Sequence, residues 1–236
     1  RPFPRAKTRI HDSGMKTALV AHWPAGIKKA GSASDSLVSV IDLAPTVLSA
    51  AGLKPTPSMQ GVSMTPLFEN SSSAIRQFAF SEHNWHDYEA HGRGIRGNGF
   101  LFMKNSRPYL ALQGPADSVR SPSHVSLQAK RDAKKLTAAQ ADVFLVPRPS
   151  VELYDLKADP HQLNNLAGNA KFAAQQKQLA SVLETWIDET HDSVPKEISP
   201  DSFDRETGKA LKVKDFRRTT PGEDRNASST NAPGPR

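Results

Sequence analysis

The chain has no cysteine. That excludes disulfides, thiolate metal sites and a cysteine nucleophile within it, and leaves the redox compartment undecided. It also lacks any apolar run near the roughly 20 residues that a membrane span requires. Aromatic residues are only 7% of the sequence and do not interleave with basic ones, and no RNA- or DNA-binding motif is present, so nucleic acid is not the expected partner. There is no internal repeat and no signal peptide. A chain that opens on Arg1 is expected to be part of a longer or a processed one, so the missing leader is silent about export.

What the chain does have is enough apolar residue, 37% of 236, to bury a core. Its formal charge is +7. Positive charge favours polyanions, whether nucleic acid, an anionic membrane surface or a sulfated glycan, and its plainer consequence is a soluble basic surface. Asn70-Ser71-Ser72 and Asn226-Ala227-Ser228 match the glycosylation sequon, a pattern common by chance.

Lys7 stands in a polar segment between Arg5 and Arg9, followed by His11, Asp12 and Gly14 and then by Ala18-Leu19-Val20-Ala21. The pattern predicts a polar loop, a glycine turn and a short buried strand. A lysine held by such a loop is a compact positive charge suited to an oxyanion; the alternative is a solvated basic surface. Downstream, Pro45 argues against one long helix over 35–52. A helix starting near Asp42 as N-cap puts Pro45 in the tolerant first turn and ends at Gly52. Phe78-Ala79-Phe80-Ser81 reads as a strand, and 94–104 as a hairpin turning at Gly97-Asn98-Gly99. A short basic helix is expected around 128–141 and a strand at 151–156. The clearest helix runs over 171–189, with Phe172, Leu179, Leu183, Trp186 and Ile187 on one face. Beyond it the chain turns polar, and composition predicts disorder over its last 18 or so residues.

The order Lys7, His11, Asp12, Gly14 and strand resembles the sulfatase family where its large catalytic half meets its C-terminal part. Two further stretches resemble the same family. One is Asp42, Pro45, Thr46 and Gly52; the other is Leu153-Tyr154-Asp155, Asp159-Pro160 and Asn165-Leu166. Together they span about Phe3 to His191. Phe3-Pro4 and the Glu189-Thr190-His191-Asp192 ending resemble the heparan N-sulfatase, or sulfamidase, branch in particular.

The resemblance implies an α/β chain, the C-terminal part of an alkaline-phosphatase-like sulfatase fold, with a small antiparallel sheet packed on a C-terminal helix. Three divisions are expected: 1–75 as the end of the catalytic domain, 76–192 as a C-terminal subdomain, and 193–236 as a polar, disordered tail. The resemblance also implies a reaction in which a formylglycine hydrate attacks sulfur while Ca2+ polarises the sulfate oxygens. It gives Lys7 the remaining job of contacting the sulfate. The family makes its formylglycine in a Cys/Ser-x-Pro-x-Arg motif. Here Ser106-Arg107-Pro108 and Ser193-Val194-Pro195 are followed at the fifth position by Leu110 and Glu197, so both the modification and the calcium ligands are expected upstream.

His83, Asn84 and His86 follow a strand end, where loops commonly carry substrate contacts. Imidazoles there suit hydrogen bonds to a sugar or its sulfate; the alternative is surface or core histidines. His11 is a further candidate for the pocket, and Trp85 reads as core. The expected partners are a sulfated sugar or glycan and the N-terminal catalytic half of the same protein, with no nucleic acid and no membrane span. By family resemblance the compartment is periplasmic, extracellular or lysosomal. Two other classes stay open: a phosphodiesterase or phosphatase of the same superfold, and a non-catalytic polyanion-binding module.

Overall fold

The computed structural model describes residues 5–213 and 218–236; Phe3-Pro4 lies outside them. In chain order the elements are α1 (Asp12–Met15), α2 (Leu43–Ala50), α3 (Thr65–Glu69), β1 (Ala79–Trp85), β2 (Glu89–Gly97), β3 (Phe100–Asn105), α4 (Ala116–Val119), α5 (Pro122–Asp132), α6 (Ala138–Ala141), β4 (Val151–Asp155) and α7 (Ala173–Glu189). The four strands form one antiparallel sheet in sequence order.

The β2–β3 hairpin follows directly from its turn. Asn98 and Gly99 have φ of 53° and 78° and sit between the paired residues Gly97 and Phe100. Two consecutive left-handed residues match the right-handed twist of the strands, which is why Asn-Gly closes two-residue hairpins. The sheet then buries both faces. Phe78, Ile95, Phe102 and Leu153 pack on Leu179 and Leu183 of α7. Leu101, Met103 and Tyr154, one position out of phase on the same strands, pack on Ile10 from the N-terminal segment. Gly92 and Gly94 on β2 open the space that Ile10 fills: a Cβ at Gly92 would lie 3.2 Å from Ile10 Cδ1.

The free edge of β4 is closed by the Asn165-Leu166 pair. Asn165 Oδ1 accepts the Leu153 N–H at 2.9 Å, its Nδ2 donates to the Val151 carbonyl at 3.2 Å, and Leu166 N donates to the Leu153 carbonyl at 2.8 Å. An edge satisfied in this way offers no template to another chain.

Asp42 stands at the N-cap of α2 as expected, but its side chain does not cap that helix. It accepts from the Ser39 and Val62 N–H groups at 2.8 and 2.7 Å and pairs with Arg76. Pro45 lies buried in the first turn and Gly52, at φ 74°, follows the helix. The short basic helix expected over 128–141 is instead two, α5 and α6.

Residues 18–21, expected as a strand of the large sheet in the N-terminal half, join no ladder within this chain, and Leu19 and Val20 are 51% and 90% exposed. A strand needs a neighbour for its backbone groups, and neither edge of this sheet pairs with it. Residues 82–85 are not loop but the second half of β1, because the N-terminal half of β2 pairs with them. Residues 193–213 and 218–236, expected as a polar, disordered tail, make defined contacts: Arg107 donates to the Pro195 carbonyl at 2.6 Å, Trp85 Nε1 donates to the Pro200 carbonyl, Phe203 packs on Tyr88, Ala116 and Val119, Gly222 N donates to Ser193 Oγ at 3.0 Å, and Asn231 Nδ2 donates to the Pro57 carbonyl at 3.1 Å.

Candidate functional site

The N-terminal loop folds back on itself before it meets the sheet. Arg9 N donates to the Ala6 carbonyl, and a Cβ at Gly14 would fall 2.2 Å from the Arg9 carbonyl oxygen, so glycine is required there. Thr8 takes a φ of 66°, in the left-handed region. This turn sorts three neighbouring cations into different surroundings.

Arg9 points inward and is 1% exposed, with Nη2 3.0 Å from Asp142 Oδ2. Arg148 joins Asp142 at 2.9 Å and Glu152 at 2.7 Å, and Arg5 lies 3.5 Å from Asp142. Burial works against the Glu152 carboxylate, yet His11, Arg148 and Tyr154 together outweigh it and hold its pKa well below the usual range. Burial, with Arg148 adding repulsion, brings the Arg9 guanidinium down to about 9. Lys7 stands outside this network. Its Nζ is 3.3 Å from Asp117 Oδ2, and both side chains are partly exposed.

The structure places the other candidates as follows. His83 sits where the β1–β2 register shifts, an irregularity that re-aims side chains. It lines two adjacent clefts, which enclose only about 10 and 20 Å3. Its Nε2 is buried with no hydrogen-bond partner, and burial, then Arg9, hold its pKa near 4. At neutral pH its ring is therefore uncharged. His86 lines the first cleft, is exposed, and has Nδ1 3.2 Å from Asp87 Oδ1. Thr8, the residue after Lys7, lines that same cleft.

Asn84 and His11 line neither cleft. Asn84 points to the opposite side of β1 from His83, where its Oδ1 accepts from Arg93 at 2.6 Å. His11 is 0% exposed, tilted against the Tyr154 ring at 5.7 Å and 3.8 Å from Glu152. The clefts are far below the roughly 300 Å3 where small-molecule pockets begin. On this chain they are walls of a site rather than a closed pocket.

Sequence reasoning missed the residues opposite the histidines. Arg205 and Gln113 line the first cleft, with Gln113 Nε2 donating to the Arg205 carbonyl. Arg205 itself is held by Asp201 and by the Ala111 and Glu89 carbonyls, and lies 5.1 Å from the Tyr88 ring centroid. The local signal was the Asp201–Arg205 pair four residues apart, in a stretch whose polarity otherwise reads as tail.

Residues 6–104 match a family model described as the C-terminal part of N-sulphoglucosamine sulphohydrolase. That span holds Lys7, His11, His83, Asn84 and His86. An ulvan-active sulfatase of Formosa agariphila is 31% identical over 188 residues, covering 79% of this chain and 31% of the relative. Human N-sulphoglucosamine sulphohydrolase is 28% identical over 211 residues, covering 85% of this chain and 41% of the relative. A solved structure in complex with its substrate, D-glucosamine-2-N,6-O-disulfate, is 26% identical, covers 70% of this chain and 27% of that one, and gives a TM-score of 0.49. The chain thus spans about a third of the length of the curated relatives it matches.

Proposed function

Given that this chain belongs to the sulfatase family, whose C-terminal part it spans, we propose that the parent protein hydrolyses sulfate esters or N-sulfate groups on sulfated glycans. The observation that carries this reading is the position of Lys7. By the resemblance of 7–14 to the family's junction it takes the place of the sulfate-contacting cation; in support, it is left out of the buried arginine–carboxylate network, and its neighbour Thr8 lines the cleft that holds His83 and His86.

In this reading Lys7 neutralises charge that builds on the sulfate oxygens as sulfur is attacked. His83, neutral at pH 7, offers one donor and one acceptor to the sugar or its sulfate, and His86 stands at the rim. Asn84 and His11 are engaged inside the fold and act through Arg93 and Glu152 rather than by contact.

Calcium and formylglycine do not fit this chain's own residues. Among the described residues no group of three or more His, Asp or Glu side chains is placed to hold a metal, and neither Ser-x-Pro stretch continues to Arg. We assign both to the remainder of the parent protein and route no step through them here. The chain by itself is then inactive. No helix among the described residues is long and apolar enough to cross a membrane; the compartment we propose is periplasmic, extracellular or lysosomal.

The test is a set of variants in the parent protein. Lys7→Ala is expected to lower kcat by about a hundred- to thousand-fold, the usual loss when one charge-stabilising donor is removed from an active site. Its melting temperature should hold, because an exposed pair such as Lys7–Asp117 contributes at most about 1 kcal/mol. Lys7→Arg should lose less, since the charge survives in a different shape. His83→Ala should cut turnover of the sugar substrate with little change in melting. A Lys7→Ala enzyme within twofold of wild type would remove Lys7 from the site. Turnover of a chromogenic sulfate ester by the 236-residue chain alone would overturn the assignment of the nucleophile elsewhere.

A further inference from the structure

The charge of this chain is concentrated in one place. Residues 120–135 carry Arg120, Lys130, Arg131, Lys134 and Lys135 against the single Asp132; residues 204–212 carry Arg205, Lys209 and Lys212 against Asp204 and Glu206. The two segments hold a net +5 of the chain's +7, so the charges of all other residues nearly cancel.

The fold brings these segments together. Arg120 donates to the Gly208 carbonyl, Gln128 Nε2 donates to the Glu206 carbonyl at 2.6 Å, and Arg131 grips both Glu206 carboxylate oxygens. Arg131 also lies 4.9 Å from the Phe144 ring centroid. These contacts use Arg120, Arg131 and Glu206 to build the surface, and leave Lys130, Lys134, Lys135, Lys209 and Lys212 exposed on it.

The acidic groups facing this surface are few. Glu206 is taken by Arg131, which also holds Asp132. Asp204 accepts from the Thr207 N–H and hydroxyl. A helix C-terminus attracts cations for its own stability, which accounts for Lys130 and Arg131 in the last turn of α5. It does not account for Lys134 and Lys135 beyond the helix, nor for Lys209 and Lys212 on a separate loop.

The 204–212 segment reaches the cleft through Arg205, and the 120–135 segment follows Gln113 and Pro115, which line the cleft too. Asp117 on α4, one turn before α5, meets Lys7. A polymer with one unit in the cleft would pass along the lysines with its next units.

We propose that α5, the turn after it and the 204–212 loop form an exosite for an extended sulfated polysaccharide, holding the stretch of polymer that runs out of the cleft. The identity of the polymer rests on the proposed sulfatase function; the existence of the surface does not. Sulfate groups repeated along a chain are matched by repeated ammonium groups, and the affinity comes mainly from counterion release and is steeply salt-dependent.

The test uses the 236-residue chain, with dextran sulfate as the probe. Lys130→Gln, Lys134→Gln and Lys135→Gln together are expected to weaken binding about tenfold and to make the slope of log K against log salt shallower by about 2 to 3, one unit or slightly less per lost contact. The control joins Lys28→Gln, Lys29→Gln and Lys54→Gln, exposed lysines on the other part of the chain, and should change binding less than twofold. Equal losses in the two triples, or none in either, would overturn the exosite. Single-stranded DNA bound as tightly as dextran sulfate, with the same sensitivity to the first triple, would overturn the choice of a sulfated polysaccharide. In the parent protein the first triple should lower kcat/KM on a sulfated polymer about tenfold and leave a sulfated monosaccharide unaffected; equal effects on both would also overturn the proposal. A parent that hydrolyses no sulfate would refute the proposed function while the binding comparison still decides the exosite.

Discussion

His11 carries a measurable consequence of burial. Its pKa is held near 4, chiefly because charging the ring inside the fold costs solvation, with Glu152 giving back only part. In the unfolded chain the ring titrates near 6.5. Between those values the unfolded state binds the extra proton, so stability is fully present above about pH 6.5 and falls as pH drops toward 4. For a fully buried ring the loss approaches about 3 kcal/mol, and His83 and His91, both near 4 for the same reason, add to it. Melting of the chain should decline from pH 7 to pH 4.5, and His11→Gln should flatten that decline; a variant with the wild-type pH slope would refute the account. The residue types of this region were legible in the sequence, but their sorting was not. Arg5, Lys7 and Arg9 read as one alternating basic run. Only the fold, through the Arg9 carbonyl crowding Gly14 and Asp142 arriving from far along the chain, decides that Arg9 is buried and Lys7 is not.

Elements were legible where the signal is local. Asn98-Gly99 closes its hairpin as the turn chemistry requires, and the apolar face of α7 meets the sheet at the expected positions. Leu183, 1% exposed beneath that sheet, should cost about 2–5 kcal/mol when cut to alanine. Val125→Ala, at a 53% exposed position of α5, should stay within about 0.5 kcal/mol; denaturant unfolding of both variants would expose an equal loss and with it a misplaced core. Elements defined by a partner were not legible. Glu82 to Trp85 has no apolar alternation and becomes strand because β2 offers it a ladder. Residues 18–21 have strand composition and no ladder to join within this chain.

At the scale of the molecule, the polar composition beyond residue 192 concealed a segment that walls the first cleft through Arg205 and carries part of the basic ridge. Such a segment is fixed by hydrogen bonds and one aromatic anchor, Phe203, rather than by a periodic apolar face. The sandwiching of the sheet has a further consequence, in the order of assembly. Ile10 needs strands β3 and β4 beneath it, Arg9 waits for Asp142, 133 residues later, and the Asp12 N–H waits for Gln162, 150 residues later. At synthesis rates of roughly 5–20 residues per second, that last interval is about 7 to 30 s. The loop bearing Lys7 is therefore made before the strands and side chains it rests on and seated after them, later than the hairpin that local contacts can close early. In refolding followed by pulsed hydrogen exchange, amides of 94–104 should gain protection before those of 9–15; the reverse order would show that the loop nucleates the sheet rather than locking onto it.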